Sequence, residues 1–465
     1  MTTYDIIILG GGAAAFAAAT KANDLQATAL IVNSGLPLGG TCVNVGCVPS
    51  KHLLGIADAL EATRHSAFDS VPLGRLNGQF SVRAARNEKD ALVEGLRRRN
   101  YEQVLESLEH IDLREGRGRI VAPGGVDVDG ESFEGRHILV ATGARASIPA
   151  IPGLADAGYL TNVEALQLDE APGRLVVIGG GPLGLEFAQI FARFGSHVTV
   201  LEALPQIVPK AEPEIAAALG EALEEEGIAI RTGVRIERVQ PGPPKTVVCG
   251  PQANDRFEAD AILVATGIRP NTEDLGLATA GGRLSQAGFV ETTDWYQAGQ
   301  NLWAAGDVAG RMPLETVAAK EGALAVANAL EGRRDSLDYD AVPWAVFTSP
   351  QLAGVGLTEK ESMRRTGYCD CRTVFYSQAP KAMALKDTKG AVKLTIDRES
   401  RIRGAYVCGT NAAEIIHEAT LAIRHGLTIH DIIDTVHVFP TYSEAIKLAA
   451  QAFTRDISVM TCCIG

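Results

Sequence analysis

Two stretches of this chain share one pattern: an apolar strand, a run of glycines, then a helix of small residues. Tyr4 to Leu9 is a short isoleucine-rich run that reads as a buried parallel strand. Gly10-Gly11-Gly12-Ala13-Ala14-Ala15 follows, with Gly10, Gly12 and Ala15 in a G-x-G-x-x-A arrangement, and then an alanine-rich segment. Arg174 to Ile178 repeats the strand, and Gly179, Gly181 and Gly184 repeat the turn. Glycine permits the tight bend and the close approach of a pyrophosphate, which the helix N-terminus then faces. Two such units imply two bound dinucleotides and an α/β chain with two Rossmann-like domains.

Soon after the first glycine turn comes Gly39-Gly40-Thr41-Cys42-Val43-Asn44-Val45-Gly46-Cys47-Val48-Pro49-Ser50-Lys51. Read as helix, this stretch brings Cys42 and Cys47 to neighbouring faces, near enough for a strained disulfide. Glycines let the backbone approach a flat ligand, and Pro49 suits the first turns of a helix. A helix N-terminus and Lys51 both favour a thiolate. The stretch reads as a redox dithiol; the alternative is two buried structural cysteines.

Composition narrows the partners. The net charge of −13 argues against a nucleic-acid or anionic-membrane partner. No apolar stretch is long enough to span a bilayer, and the chain enters its first strand without a signal peptide, so a cytoplasmic location is expected. Eight cysteines in 465 residues suit catalytic or metal-binding thiols better than a disulfide scaffold.

GGTCVNVGCVPSK resembles the active-site signature of the flavin-dependent pyridine nucleotide–disulfide oxidoreductases, and the resemblance runs the length of the chain. It implies bound FAD and NAD(P)H, with Cys47 beside the flavin and Cys42 as the outer, exchanging thiol. Lys51 and Glu186 match the family's ion pair near the flavin's reactive end. Gly40, Thr41 and the Thr142-Gly143 closure are expected along the FAD, with Gly267 ending the repeated closure and Asp307 on the ribityl chain. Asn33 stands where the family usually has an acid for the adenosine ribose, and Glu202 ends the corresponding strand of the second unit. The implied division is an FAD domain over 1–150, an NAD(P)H domain over 151–272, a return to the FAD domain over 273–340, and an α+β dimerisation domain over 341–465. Between the redox stretch and the closure, roughly Asn87 to Glu109 reads as a polar helix carrying Tyr101.

Disulfide reductases of this family carry a His-Pro-Thr followed shortly by Glu, the histidine serving as proton shuttle. Here the run is His437-Val438-Phe439-Pro440-Thr441-Tyr442-Ser443-Glu444, with Phe439 in the histidine's place. His437 is expected to point to the opposite face. The last residues are Thr461-Cys462-Cys463-Ile464-Gly465, and the cysteine pair among them suits a soft metal ion. A lost base together with a terminal cysteine pair resembles the mercuric reductase branch. That branch implies Hg(II), delivered on small thiols, as substrate, with Cys42, Cys47, Cys462 and Cys463 as its ligands and active sites shared across a homodimer. Tyr101 matches one of the branch's two metal-site tyrosines, and Tyr442 is the candidate for the other. An extra N-terminal metal-capturing domain with a Cys-x-x-Cys pair, present in many of the branch, is not expected here. Cys369-x-Cys371 is expected not to bind metal, on the reading that a strand turns the two apart. Two rivals remain: a thioredoxin-reductase-like enzyme using the terminal pair, and a non-enzymatic flavoprotein that sequesters metal.

Overall fold

A computed structural model describes residues 3–71, 80–250 and 255–457. The chain divides into two compact units, one of residues 1–52, 86–147 and 267–337, the other of 53–85, 148–266 and 338–465.

The first unit is built on a seven-stranded sheet. Its order is Ile111–Glu115, Ala29–Asn33, Thr3–Leu9, Glu131–Val140, Gly125–Val128 and Gly118–Ala122, with Leu302–Ala304 also paired to the long 131–140 strand. Thr3–Leu9 lies between parallel partners, with Ile6 opposite both Ala29 and His137. That placement explains why Ile6, Ile7 and Ile8 are all fully buried: a central parallel strand has no solvent face. Each such side chain stabilises the fold by about 1.5–3 kcal/mol relative to exposure. Helix Ala13–Asp24 packs on helix Glu315–Glu331. They approach until a side chain at Gly322 would stand 2.1 Å from the Ala14 carbonyl oxygen, so the crossing requires glycine there.

The second unit contains a four-stranded parallel sheet ordered Ala229–Arg231, His197–Leu201, Arg174–Ile178 and Ala261–Val264. It also contains a five-stranded antiparallel sheet ordered Trp344–Val346, Gln351–Gly356, Ile402–Gly409, Ala391–Ile396 and Asp370–Phe375. Helices Ala412–His425 and Glu444–Gln451 cover that sheet. Ile415, Ile416, Ala419 and Ala422 recur at helical spacing and join its core.

The expected helix over 87–109 takes a different form. It begins earlier, as Val82–Arg97, passes through a π-helical turn at Arg98–Glu102, and ends in the short helix Gln103–Glu106. Tyr101 sits in the π turn, a distortion common at functional sites.

Lys393, on a strand of the antiparallel sheet, is buried with its amine 3.1 Å from Glu212, 3.0 Å from Glu214 and 2.9 Å from Glu359. Replacing it by methionine leaves Glu212, itself buried, without its cation. The expected loss is about 3–5 kcal/mol. Lys389→Met, which removes only an exposed pair with Glu225, should cost at most about 1 kcal/mol. Denaturant unfolding of both variants measures the contrast, and equal losses would contradict it.

Candidate active site

The dithiol segment is anchored to the first glycine turn through backbone. Gly39 N donates to Gly11 O at 2.8 Å, and a side chain at Gly40 would meet Gly12 Cα at 2.7 Å. Asn44 then fastens the turn from inside, its Nδ2 donating to Gly40 O at 2.8 Å with Pro37 O at 3.0 Å. The two cysteines do not share one continuous helix, as the spacing had suggested. Cys42 lies in the short helix Gly40–Val45, Gly46 breaks it, and Cys47 opens the 18-residue helix Cys47–Arg64. At Gly46 a side chain would stand 2.9 Å from Thr41 O and 3.2 Å from Cys42 Cα, so the fold-back depends on glycine. Pro49 falls in the first turn of the second helix, where its missing N–H costs nothing.

A carboxylate not singled out from the sequence completes the group. Cys42 Sγ donates to Glu315 Oε2 at 2.8 Å, and the ligand atoms of Cys42, Cys47 and Glu315 all lie within 4.8 Å of one another. Glu315 is the first residue of the helix that Gly322 seats against Ala14. Tyr101 belongs to the same place. Its ring packs edge-on to Phe16 at 4.9 Å and lies over Gly39, where an added side chain would touch it at 3.0 Å.

The two thiols are unequal. Cys42 is pushed well up, because its proton is held by a hydrogen bond to Cys47, by burial, and by Glu315. Cys47 is pulled down, first by that bond from Cys42 and then by the Lys51 ammonium, against the opposing effect of burial. Its position at a helix N-terminus adds to this. Of the two, Cys47 is therefore the one that ionises first, and Cys42 holds its proton longer. Tyr101 is raised to about 12 by burial and then by the charges of Glu315 and the cysteines, so its hydroxyl stays protonated.

Both glycine turns are cradles of bare backbone, packed too tightly against the adjacent strand to admit a side chain. At Gly10, φ is +127° and a Cβ would stand 2.2 Å from Ala141 O; at Gly179, φ is +113° and the contact is 2.3 Å from Ala265 O. The helices that follow start at Gly12 and Gly181, neither of which caps the free N–H groups with a side chain. This is the chemistry a pyrophosphate needs, and the first cradle fits FAD. Asn33, buried at the end of its strand, donates to Leu36 O at 3.2 Å and to Glu115 at 3.2 Å, so an acid does stand beside Asn33. Thr142 and Asn271 bond reciprocally, at 2.7 and 2.9 Å. Asp307 is raised by burial, and the neighbouring Gly306 N donates to buried Glu321 at 2.7 Å. In the second unit Glu202 accepts from Gly180 N at 2.7 Å and from Leu204 N at 2.8 Å.

The remaining candidates are distributed as follows. Lys51 lies in the first unit and Glu186 in the second, where it is buried and accepts from Phe347 N at 3.1 Å. Tyr442 is also buried in the second unit, stacked on Tyr376 and donating to Asp387 at 2.7 Å. Glu444 accepts from Thr441 N at 3.1 Å. His437 faces Glu418 at 2.8 Å and Thr435 O at 3.0 Å, and the Glu418 bond raises its pKa. Its separation from half-exposed Phe439 does not come from strand alternation, which puts residues two apart on the same face. It comes from the irregular course of 435–440. The same correction applies to Cys369 and Cys371, because residues two apart on a strand share a face, and Cys371, in strand Asp370–Phe375, donates to Glu359 Oε2 at 3.4 Å. Cys462 and Cys463 lie outside the described residues.

Lys51→Met should shift the pH midpoint for alkylation of the reduced enzyme's thiolate upward by about one unit, because the thiolate loses its cation. Glu315→Gln should shift it downward, because the neighbouring anion is gone. Iodoacetamide rates against pH measure both, and shifts of the same sign would contradict the charge assignment.

Comparison with known proteins gives these features a context. Residues 4–322 match the pyridine nucleotide-disulphide oxidoreductase family, and residues 342–450 match that family's dimerisation domain. A mercuric reductase from Staphylococcus aureus is 36% identical over 99% of this chain and 84% of its own length. One from Streptomyces lividans is 37% identical over 100% of this chain and 99% of its own. Among solved structures, the Cu(II) complex of an HOCl-induced flavoprotein disulfide reductase from Escherichia coli is similar, with a TM-score of 0.85 and 26% identity over 97% of this chain and 100% of that one. The chain belongs to the pyridine nucleotide–disulphide oxidoreductase family.

Proposed function

We propose that this enzyme reduces Hg(II) to Hg(0) with electrons from NAD(P)H. The observation that carries the reading is the Cys42–Cys47 pair, fastened to the FAD turn, in a chain with Phe439 where the family's disulfide reductases have their proton shuttle. FAD is read on 1–150 and 273–340, NAD(P)H on 151–272, and the homodimer contact on 341–465. Bound FAD supplies the capacity to pass the two electrons of NAD(P)H onward.

The chain's own residues handle the metal. Cys42 displaces one small thiol from a two-thiol Hg(II) complex, its proton leaving with the departing thiolate, and the Cys47 thiolate displaces the second, so each step makes one mercury–sulfur bond and breaks one. Lys51 favours the Cys47 thiolate on which the second exchange depends. Tyr101 stands over Gly39 with its hydroxyl protonated, placed to close the metal's cavity. Tyr442 is the second tyrosine of this reading. Cys462 and Cys463 take the ion from solution thiols and hand it to the dithiol of the other subunit. Adjacent thiolates suit this capture because two sulfurs on neighbouring residues can hold one soft ion together.

The test is nicotinamide oxidation in excess thiol with HgCl2. Wild type should show metal-dependent oxidation that Cys42→Ala abolishes. Cys462→Ala with Cys463→Ala should spare nicotinamide-driven flavin reduction and cripple turnover of thiol-bound mercury. Oxidation that depends on thioredoxin or a small disulfide, and not on mercury, would overturn the reading.

The electron donor is read from Glu202. Its carboxylate, fixed by two backbone amides at the end of His197–Leu201, favours a ribose 2′-hydroxyl and repels a 2′-phosphate. Good use of NADH is expected, and a kcat/KM preference for NADPH above about tenfold would contradict this role for the residue.

A further inference from the structure

Mercury needs no more than two thiolates, yet this dithiol has a third donor. We infer that Glu315 sets the metal selectivity of the site, turning the reduced dithiol into a two-sulfur, one-oxygen site that also holds borderline divalent cations of the zinc class. The inference rests on the reading of Cys42 and Cys47 as the metal-taking pair.

Three observations support it. The donor atoms of Cys42, Cys47 and Glu315 lie within 4.8 Å of one another, and Glu315 Oε2 is already 2.8 Å from Cys42 Sγ. A tetrahedral ion with bonds of about 2.0–2.3 Å holds its ligand atoms roughly 3.5 Å apart, so small side-chain rotations would close all three on one ion. Second, the carboxylate is held in place by the fold. Glu315 opens the helix whose Gly322 is seated on Ala14, one residue from the family's FAD turn position Ala15. Third, the charges fit. When both thiols are ionised, three anionic groups converge, with Lys51 the cation acting on Cys47. A divalent ion removes that repulsion.

The ordinary reading of Glu315 is a helix-opening acid that happens to accept a thiol hydrogen bond. The two readings differ in what they say about metals. Soft Hg(II) is satisfied by sulfur, whereas zinc gains from an oxygen donor and takes sulfur and oxygen together. Binding of zinc releases to solvent the thiol proton that Cys42 still holds, forms two zinc–sulfur bonds and one zinc–oxygen bond, and leaves a fourth position for water. No electrons move.

The experiment uses the two-electron-reduced holoenzyme. ZnCl2 is titrated against a chromophoric chelator, and HgCl2 against a competing thiol, for wild type, Glu315→Gln and Glu315→Asp. Retention of FAD and its visible spectrum establishes that each variant is folded. The ratio of zinc to mercury affinity should fall by roughly tenfold or more in Glu315→Gln. Glu315→Asp, which keeps the carboxylate, should recover part of it. Equal ratios in wild type and Glu315→Gln, or no zinc binding by wild type, would overturn the inference. If Glu315→Gln loses FAD, Glu315→Asp decides alone, since a ratio unchanged by shortening the donor would also overturn it. Mercury-dependent nicotinamide oxidation is recorded separately. Its absence alongside a Glu315-dependent zinc ratio defeats the proposed function and leaves the site, and the reverse pattern defeats only the site.

Discussion

The contact between the dithiol segment and the first glycine turn is the constraint on which the rest of the first unit's chemistry depends. Gly40 lies against Gly12 with no room for a side chain, and Gly39 N is bonded to Gly11 O. A redox pair works only if it stays at a fixed distance from the flavin, and backbone against backbone is the stiffest way to hold it. The contact requires glycine on the dithiol side, because a Cβ at Gly40 would stand 2.7 Å from Gly12 Cα and push the segments apart. It also fixes Asn44, whose side chain ties the short helix to the preceding loop, and Tyr101, whose ring fills the space over Gly39.

Much of this was legible in the sequence because the requirements are local. A strand, a glycine turn and a small-residue helix can be read within one segment, and both such units occur as expected. The family signature located the cysteines for the same reason. Glu315 was not legible. It is 273 residues from Cys42 and reaches it only because one helix packs closely on another. Its sole sequence cue is an acid at a helix start, which usually serves the helix itself. The break at Gly46 was missed because a spacing of five fits one continuous helix as well as two helices folded at a glycine. Only the crowding of Gly46 against Thr41 and Cys42 distinguishes them. For Cys369 and Cys371, strand alternation does not separate the two, since residues two apart share a face.

The balance of charge supports a cationic substrate over a neutral disulfide. Cleaving a disulfide makes a leaving thiolate that must be protonated, and the family's disulfide reductases place a histidine for that task. In this chain Phe439 can carry no proton, and Glu444, which would orient such a histidine, accepts the Thr441 amide instead. His437 is engaged by Glu418 and Thr435. Meanwhile a carboxylate has been brought onto Cys42, where it opposes ionisation of the thiol. For a disulfide substrate that anion is a handicap, because Cys42 must become the attacking thiolate. For a divalent cation it is an asset, because the arriving charge is attracted by the carboxylate and favours release of the thiol proton. The same group thus hinders one reaction and assists the other, and the residues around Cys42 are arranged for the second.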